Sequence, residues 1–140
     1  MPIVEVDVLI AFVNALDKYH EAASRLLKEV TSGKIKNVKV AASAYLEYAL
    51  ILRSKGYDEE EIREDLIHFR NMPNLGEAPL NVDVLIRASK LRKEYNLTFF
   101  DSLHAATALM LDKVIISVDQ AYKRIKGLKV IDPSIACSIN

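Results

Sequence analysis

The sequence has little of several features that would place it in a particular class of protein. Its only cysteine is Cys137, so no intrachain disulfide can form, as expected in a reducing cytoplasm. No apolar run approaches the ~20 residues that are needed to span a bilayer. The first residues include Glu5 and Asp7 and lack the basic start of a secretion signal, so we expect a cytoplasmic protein without a membrane segment.

The chain also lacks an excess of either charge. Its 19 basic residues balance 19 acidic ones. No overall field attracts the protein to nucleic acid, so any such contact depends on a local patch. There is no internal repeat or low-complexity segment, and 140 residues are enough to bury a core. We therefore expect one domain, residues 1–140.

Short apolar runs alternate with amphipathic helical patterns along the chain. Strands are predicted at residues 3–6, 38–42, 114–118 and 128–131. Helices are predicted at residues 8–16, 19–31, 43–55, 58–71, 81–95, 97–109 and 119–126, with caps at Asp7, Ser43, Asp58 and Asn81. Residues 72–80 are predicted as a loop with room for one brief extended piece. The alternation predicts an α/β fold, a single-domain three-layer α/β/α sandwich around a central, mostly parallel sheet.

The stretch at residues 97–109, LTFFDSLHAATAL, combines a helix start with an acid that has no basic neighbour. Thr98 is a suitable N-cap, and Asp101 three residues later makes an approximate capping box. The next helical turn brings only His104 and Ala105 to Asp101, so no Lys or Arg neutralises the carboxylate. Asp101 is therefore either an acid stabilised by the helix dipole or a functional one.

Four further acids are predicted at one edge of the sheet. Glu5 and Asp7 follow the first strand, and Asp119 follows the strand at residues 114–118, where Ser117 adds a hydroxyl. Glu47 lies one turn into the helix after the second strand. Because ligands of an open α/β sheet collect beyond the carboxyl ends of its strands, we expect these acids to meet Asp101 there.

Glu47 has apolar surroundings that are unusual for a surface acid. Its helical neighbours three and four residues away are Ser43, Ala44, Leu50 and Ile51. A buried carboxylate requires a proton, a buried partner or a metal ion. The alternatives that stay open are a solvent-facing Glu47 at the edge of the apolar face and an ordinary N-cap role for Asp119.

The ligand types in this set favour a hard metal ion. His20, His68 and His104 share no ligand spacing, which argues against zinc, and His104 is expected to have a packing role. Carboxylates without His or Cys suit Mg²⁺ or Mn²⁺. Such an ion lowers the pKa of a bound water and neutralises charge on a phosphate. The acids therefore predict hydrolysis of a phosphodiester bond.

The stretch at residues 97–109 also resembles the third acidic motif of the PIN-domain nucleases, in particular the VapC-type toxins, L-[ST]-x-x-D-[AS]-x-H-x-A-x-A. Three other motifs are similar and occur in the family's order, namely EVDVLIA at residues 5–11, SAYLE at 43–47 and SVD at 117–119. The similarity covers nearly the whole chain. It implies a PIN-like fold and a metal-dependent ribonuclease, usually the toxin of a toxin–antitoxin pair, usually a homodimer and inhibited by its antitoxin.

The resemblance also implies roles for individual residues. The catalytic set would be Glu5, Glu47, Asp101 and Asp119, and the metal ligands would be Glu5, Asp101 and Asp119, with Asp7 as second choice for Glu5. The chain departs from the family at Glu5, where the family has Asp, and at Val6, where it has a hydroxyl residue. One extra methylene moves the carboxylate by ~1.5 Å, whereas Mg²⁺ requires near-ideal geometry at about 2.1 Å. Glu5 then reaches the ion in another rotamer, Asp7 replaces it, or the site is weakened; we predict Glu5 as the ligand.

Other functional interpretations are compatible with parts of the sequence. Glu5 and Val6 favour a PIN domain that is catalytically weakened and binds protein or RNA. The pair Glu5 and Asp7 superficially resembles the acids of haloacid dehalogenases and response regulators. The former, however, need an Asp nucleophile in place of Glu5, and the latter need an Asp after the third strand and a suitable Lys. A purely structural domain, with all five acids as caps or surface charges, is the remaining alternative.

Overall fold

A five-stranded parallel sheet forms the centre of the molecule. The computed structural model describes residues 2–136, so Cys137 lies outside the described residues. The strands are β1 (Ile3–Val4), β2 (Val38–Ala41), β3 (Leu75–Ala78), β4 (Val114–Ile116) and β5 (Lys129–Ile131), in the order β3-β2-β1-β4-β5. Every pairing in this sheet is parallel. The predicted α/β class is confirmed.

Seven α-helices and one 3₁₀ helix within residues 2–136 flank the sheet. They are α1 (Val6–Val13), α2 (His20–Thr31), α3 (Ala42–Ser54), α4 (Glu59–Arg70), α5 (Val82–Tyr95), α6 (Phe99–Leu109), the 3₁₀ helix (Gln120–Arg124) and α7 (Pro133–Ala136). Helix α1 packs on α2, α3 on α4, and α5 on α6. These pairs build the outer layers of the three-layer sandwich. No helix in the described part of the chain has the length and apolar character needed to cross a membrane.

The short strand β1 occupies the middle of the sheet. Its two residues, Ile3 and Val4, are fully buried and pair with β2 on one side and with β4 on the other. From β1 the chain runs outward through β2 and β3, and it then returns to form β4 and β5 on the other side. The strand order therefore reverses between β1 and β4. At such a point an open α/β sheet forms a crevice beyond the carboxyl ends of its strands.

The helix starts were predicted with mixed success. Asp58, Asn81 and Thr98 are N-caps, and each accepts a hydrogen bond from the backbone N–H three residues later, at 2.9, 3.1 and 3.2 Å. The predicted caps at Asp7 and Ser43 are wrong. Both residues lie within the first turn of their helices, and their side chains bond to distant parts of the chain instead.

Strand β3 occupies Leu75–Ala78 within the predicted loop at residues 72–80, where one brief extended piece was allowed for. It pairs with β2 from Val38–Leu75 to Ala41–Ala78 and lies at the edge of the sheet. Its ladder bonds therefore come from β2 alone, which is a non-local partner that the local sequence does not reveal. Strands β1 and β4 end earlier than predicted, at Val4 and Ile116. The residues after them thus leave the sheet and line the crevice.

Candidate metal centre

Glu5 is buried between the ends of β1 and β4. The residue is 2 % exposed, and its backbone N–H donates to the Ile116 carbonyl at 3.2 Å. The Ser117 hydroxyl lies 3.2 Å from Glu5 Oε2, and His104 Nε2 lies 3.5 Å from Glu5 Oε1. Glu5 is thus fixed in the crevice, but neither of its oxygens has a short hydrogen bond.

Asp7 meets Glu5 at the Ser117 hydroxyl. Ser117 Oγ donates to Asp7 Oδ2 at 2.6 Å, and the Val118 backbone N–H donates to the same oxygen at 2.9 Å. The Asp119 backbone N–H in turn donates to Ser117 Oγ at 3.0 Å. Because a hydroxyl has a single hydrogen, the short bond to Asp7 leaves Glu5 with the weaker contact.

Glu47 reaches the crevice from α3 through His104. The distance from His104 Nε2 to Glu47 Oε1 is 2.7 Å, and the distance from Nδ1 to Ser43 Oγ is 2.8 Å. The imidazole is fully buried, whereas the Glu47 side chain is 21 % exposed. The buried partner expected for Glu47 is therefore His104. The prediction of a mere packing role for His104 is wrong, because both of its ring nitrogens are hydrogen-bonded.

Asp101 and Asp119 complete the group. The Tyr122 hydroxyl donates to Asp101 Oδ1 at 3.3 Å, and the Ala121 backbone N–H donates to Asp119 Oδ1 at 2.8 Å. Asp119 thus caps the 3₁₀ helix, as its alternative interpretation held. Burial raises the pKa of Asp101, and the like charge of Asp119 raises it further. The cap role of Asp119 and its proximity to Asp101 are therefore compatible.

Burial and mutual repulsion favour protons on this cluster. Burial raises the pKa of Glu5 well above its ordinary value, and the negative charges of Asp7, Glu47 and Asp101 raise it further. Burial also raises the pKa of Asp7, although hydrogen bonds from its neighbours partly oppose the rise. Like charges at close range cannot all ionise cheaply without a cation. The structure thus brings Glu5 close enough to Asp7, Glu47 and Asp101 for their charges to act on it, and Asp119 joins this group through Asp101.

Two oxygens of this cluster fit a cation. Glu5 Oε1 and Asp7 Oδ1 are buried and accept no hydrogen bond in the described part of the chain. An unsatisfied buried acceptor costs about 1–3 kcal/mol, and more when it is charged. Glu5, Glu47 and His104 each offer one ligand atom within 4.8 Å of the others. Because both His104 nitrogens are already hydrogen-bonded, the open positions are carboxylate oxygens, which suit a hard divalent ion.

The whole chain can be compared with known protein families. The family model described as PIN domain matches residues 3–128. The chain belongs to the PIN domain family. In this PIN domain, the matched region contains all five clustered acids and the strands that place them. Comparison with curated protein sequences finds no match.

Solved structures share the fold of this PIN domain. VapBC2 from Rickettsia felis, bound to a DNA fragment from the promoter, has a TM-score of 0.72 and 16 % identity over 93 % of this chain and 96 % of that one. A toxin–antitoxin complex from Klebsiella pneumoniae gives 0.68 and 16 %, over 95 % and 98 %. VapC20 from Mycobacterium tuberculosis, a sarcin–ricin loop cleaving toxin, gives 0.67 and 16 %, over 88 % and 93 %. At these identities the similarity establishes the fold alone.

Two acids of the PIN domain, Asp101 and Glu47, are held by side chains that the sequence does not connect to them. Tyr122 contacts Asp101 across 21 residues, and no local pattern indicates this bond. Ser43 offered a signal, because it precedes Glu47 by four residues and so shares a helix face with it. Nothing in the local sequence connects either of them to His104, which lies 61 and 57 residues later.

Proposed function

We propose that residues 1–140 form one nuclease domain, a cytoplasmic Mg²⁺- or Mn²⁺-dependent endoribonuclease that is the toxin of a type II toxin–antitoxin pair. One observation carries the proposal. In a member of the PIN domain family, two buried carboxylate oxygens of a cluster of five acids, on Glu5 and Asp7, accept no hydrogen bond from any group within residues 2–136. A divalent cation would neutralise this cluster and give the unpaired oxygens a partner.

The proposed metal ligands are Glu5, Asp101 and Asp119, with Asp7 as the alternative to Glu5. A divalent ion bound there would activate a water and neutralise charge on the scissile phosphate. Ser117 holds Asp7 in place through its 2.6 Å bond. The carboxylates must lose the protons that burial favours before they can bind the ion, so binding releases protons.

Glu47 is the remaining member of the proposed catalytic set, which is Glu5, Glu47, Asp101 and Asp119. Its Oε1 accepts from His104 Nε2 at 2.7 Å, and its side chain is 21 % exposed. The second oxygen of Glu47 is therefore suited to orient a water molecule beside the buried ligands. Glu47 then acts at the entrance of the crevice, and Glu5 acts at its floor.

The similar structures support the choice of substrate and partner. One of them is a sarcin–ricin loop cleaving toxin, and another is a toxin–antitoxin complex. We propose RNA as the substrate and a cognate antitoxin as a partner. Leu46 and Leu50 of α3 are exposed and lie four residues apart, hence on one helix face. This apolar face supports the proposed homodimer.

Binding of Mn²⁺ to the folded protein tests the proposal without knowledge of the RNA. The melting temperature is measured during Mn²⁺ titration of the wild-type protein, Asp101→Asn and Asp58→Asn. A ligand that binds only the folded state adds about 2.7 kcal/mol at a hundredfold excess over Kd. We expect a saturable rise for the wild type and for Asp58→Asn, and none for Asp101→Asn.

Asp58→Asn is a matched control for this titration. Asp58 is an exposed N-cap of α4, and Asn caps a helix about as well as Asp does. The same chemical change is thus made at an acid inside the cluster and at one outside it. A flat response of the wild-type protein to Mn²⁺, or an equal rise in Asp101→Asn, would contradict the proposed metal site.

A catalytically weakened PIN domain that binds protein or RNA is the second candidate. The specific observation in its favour is Glu5, whose longer side chain places Oε1 3.5 Å from His104 Nε2, beside a ring that already bonds to Glu47. Under this alternative the wild-type protein shows no Mn²⁺-dependent stabilisation and cleaves no RNA. It would still retain its protein or RNA partner, and that partner would raise the melting temperature without a divalent ion.

A further inference from the structure

The imidazole of His104 is hydrogen-bonded to two side chains of the same helix. Ser43 and Glu47 are four residues apart on α3, so their Cβ atoms lie about 5–6 Å apart on one face. His104 enters from α6, and its two nitrogens face Ser43 Oγ at 2.8 Å and Glu47 Oε1 at 2.7 Å. The ring therefore bridges one turn of α3 from end to end.

Glu47 determines the direction of both hydrogen bonds when the ring is neutral. A carboxylate oxygen only accepts, so Nε2 of His104 must carry a hydrogen and donate it to Glu47. In the neutral ring Nδ1 is then an acceptor, and the Ser43 hydroxyl is its donor. The two hydrogen bonds therefore form one chain, in which Ser43 Oγ–H donates to Nδ1 and Nε2–H donates to Glu47 Oε1.

This chain of two hydrogen bonds is more than a packing contact, because it is buried. Ser43 is 1 % exposed and His104 is fully buried, so neither side chain has water as an alternative partner. Each lost bond would leave a buried polar group unsatisfied. On α6 itself the Phe100 ring stacks on the imidazole, with centroids 6.2 Å apart, and the buried alanines Ala105, Ala106 and Ala108 follow.

We propose that Ser43 and His104 are positioning residues: the Ser43 hydroxyl anchors the imidazole at Nδ1, and the ring thereby holds Glu47 in one orientation before any cation binds. This inference rests on the proposed function, in which Glu47 belongs to the catalytic set. Among the hydrogen bonds of residues 2–136, the Ser43 hydroxyl bonds to His104 and to none of the five acids, so it acts through the ring. Glu47 offers an oxygen within 4.8 Å of a ligand atom of Glu5, so its orientation bears on the bound ion. Removing a group that orients the side chains around a metal typically changes metal affinity by ten- to a hundredfold.

The tautomer is measured first, on the metal-free protein. Proton–nitrogen correlation spectra of the histidine rings report which nitrogen carries the hydrogen. We expect the Nε2–H tautomer in the wild type and in Ser43→Ala, because Glu47 still requires that hydrogen, and we expect the Nδ1 resonance of Ser43→Ala to shift because this nitrogen loses its hydrogen bond. An Nδ1–H ring or a doubly protonated ring in the wild type at neutral pH would overturn the assigned direction. A wild-type spectrum in Ser43→Ala would overturn the role of Ser43.

Metal affinity is measured second, as free Mn²⁺ by electron paramagnetic resonance at a temperature where circular dichroism shows each variant folded. We expect about tenfold weaker binding for Ser43→Ala and about a hundredfold for His104→Leu. His104→Gln keeps an N–H donor near the position of Nε2, so it should bind Mn²⁺ more tightly than His104→Leu. Equal loss in the two His104 variants would overturn positioning through a donated hydrogen bond.

Thr107→Val provides the matched control on the same helix. Thr107 is also buried, but its hydroxyl donates to the Leu103 carbonyl within α6 at 2.8 Å. This variant should lose stability while it keeps the His104 tautomer and the Mn²⁺ affinity. Equal Mn²⁺ affinity in wild type and Ser43→Ala would overturn the positioning role and leave the proposed function standing. Absence of Mn²⁺ binding by the wild-type protein would overturn both.

Discussion

The start of α4 and the cluster around Glu5 contain the same chemical group in opposite environments. Asp58, Glu59, Glu60 and Glu61 are all exposed. Asp58 caps the helix, and Arg53 lies 3.7 Å from Glu59. Water and the positive end of the helix dipole accommodate four adjacent acids there. This group therefore has a complete structural explanation.

The crevice acids have no such explanation. Glu5 and Asp7 are buried, each has an oxygen without a hydrogen bond, and no Lys or Arg within residues 2–136 forms an ion pair with either. The His104 ring lies 3.5 Å from Glu5, but its Nε2 already bonds to Glu47 at 2.7 Å. The comparison shows that the number of acids says little about a site. The burial of an acid without a basic partner is what indicates a functional site.

The largest predicted difference between the two groups concerns RNA cleavage. Asp101→Asn should reduce Mn²⁺-dependent cleavage about a hundredfold or more, because metal stabilisation of the transition state is worth several kcal/mol. Glu60→Gln in the α4 group should leave cleavage unchanged. Initial rates on total cellular RNA measure both. Loss of helical content or of melting temperature in Asp101→Asn would instead show that Asp101 is structural.

The next difference concerns stability and pH. The folded-state pKa values of Glu5 and Asp7 lie above their unfolded values, so the folded protein binds more protons and loses stability as the pH rises above about 4.5. The metal-free protein should therefore melt at a higher temperature near pH 5 than near pH 7.5. Glu5→Gln should flatten this slope and stabilise the protein at pH 7.5 by about 1 kcal/mol, the size of one relieved buried acceptor.

Melting curves with and without saturating Mn²⁺ decide this second prediction. Mn²⁺ should remove most of the pH slope, since it takes the place of the protons. Glu61→Gln is the corresponding change in the exposed group and should leave the slope as it is. A protein that becomes steadily more stable from pH 5 to pH 7.5 without metal would contradict the description of the cluster.

The smallest predicted effect belongs to the exposed group. Asp58→Ala removes the hydrogen bond that Asp58 accepts from the Glu61 N–H at 2.9 Å, and it should cost about 1 kcal/mol of unfolding free energy. Urea unfolding measures the loss. RNA cleavage and the Mn²⁺ response should remain those of the wild type. A change in either would show that the two groups of acids are coupled after all.

Local features of the fold were predictable because their partners are close in sequence. The caps at Asp58 and Thr98 each bond a backbone N–H three residues later. The strands β2 and β4 are visible as apolar, β-branched runs. The parallel sheet follows from the alternation of such runs with helices. In each of these cases the local sequence contains all the residues on which the prediction depends.

Features that depend on distant partners were not predictable. Asp7 looks like a cap, but its carboxylate bonds to Ser117 110 residues away. Ser43 looks like a cap as well, and it bonds to His104 instead. Strand β3 takes its ladder from β2. The acids of the site were predictable because each lies near the end of a strand or the start of a helix, which the local sequence indicates. The groups that hold these acids come from elsewhere in the chain.

The central position of β1 determines when the candidate site can form. During synthesis β1 leaves the ribosome first, but one of its two neighbours, β4, begins only at Val114. Pairing across so many residues closes a long loop and is slow. Ser117 and Asp119 follow β4 immediately. A growing chain therefore contains four of the five clustered acids before the sheet that brings them together exists.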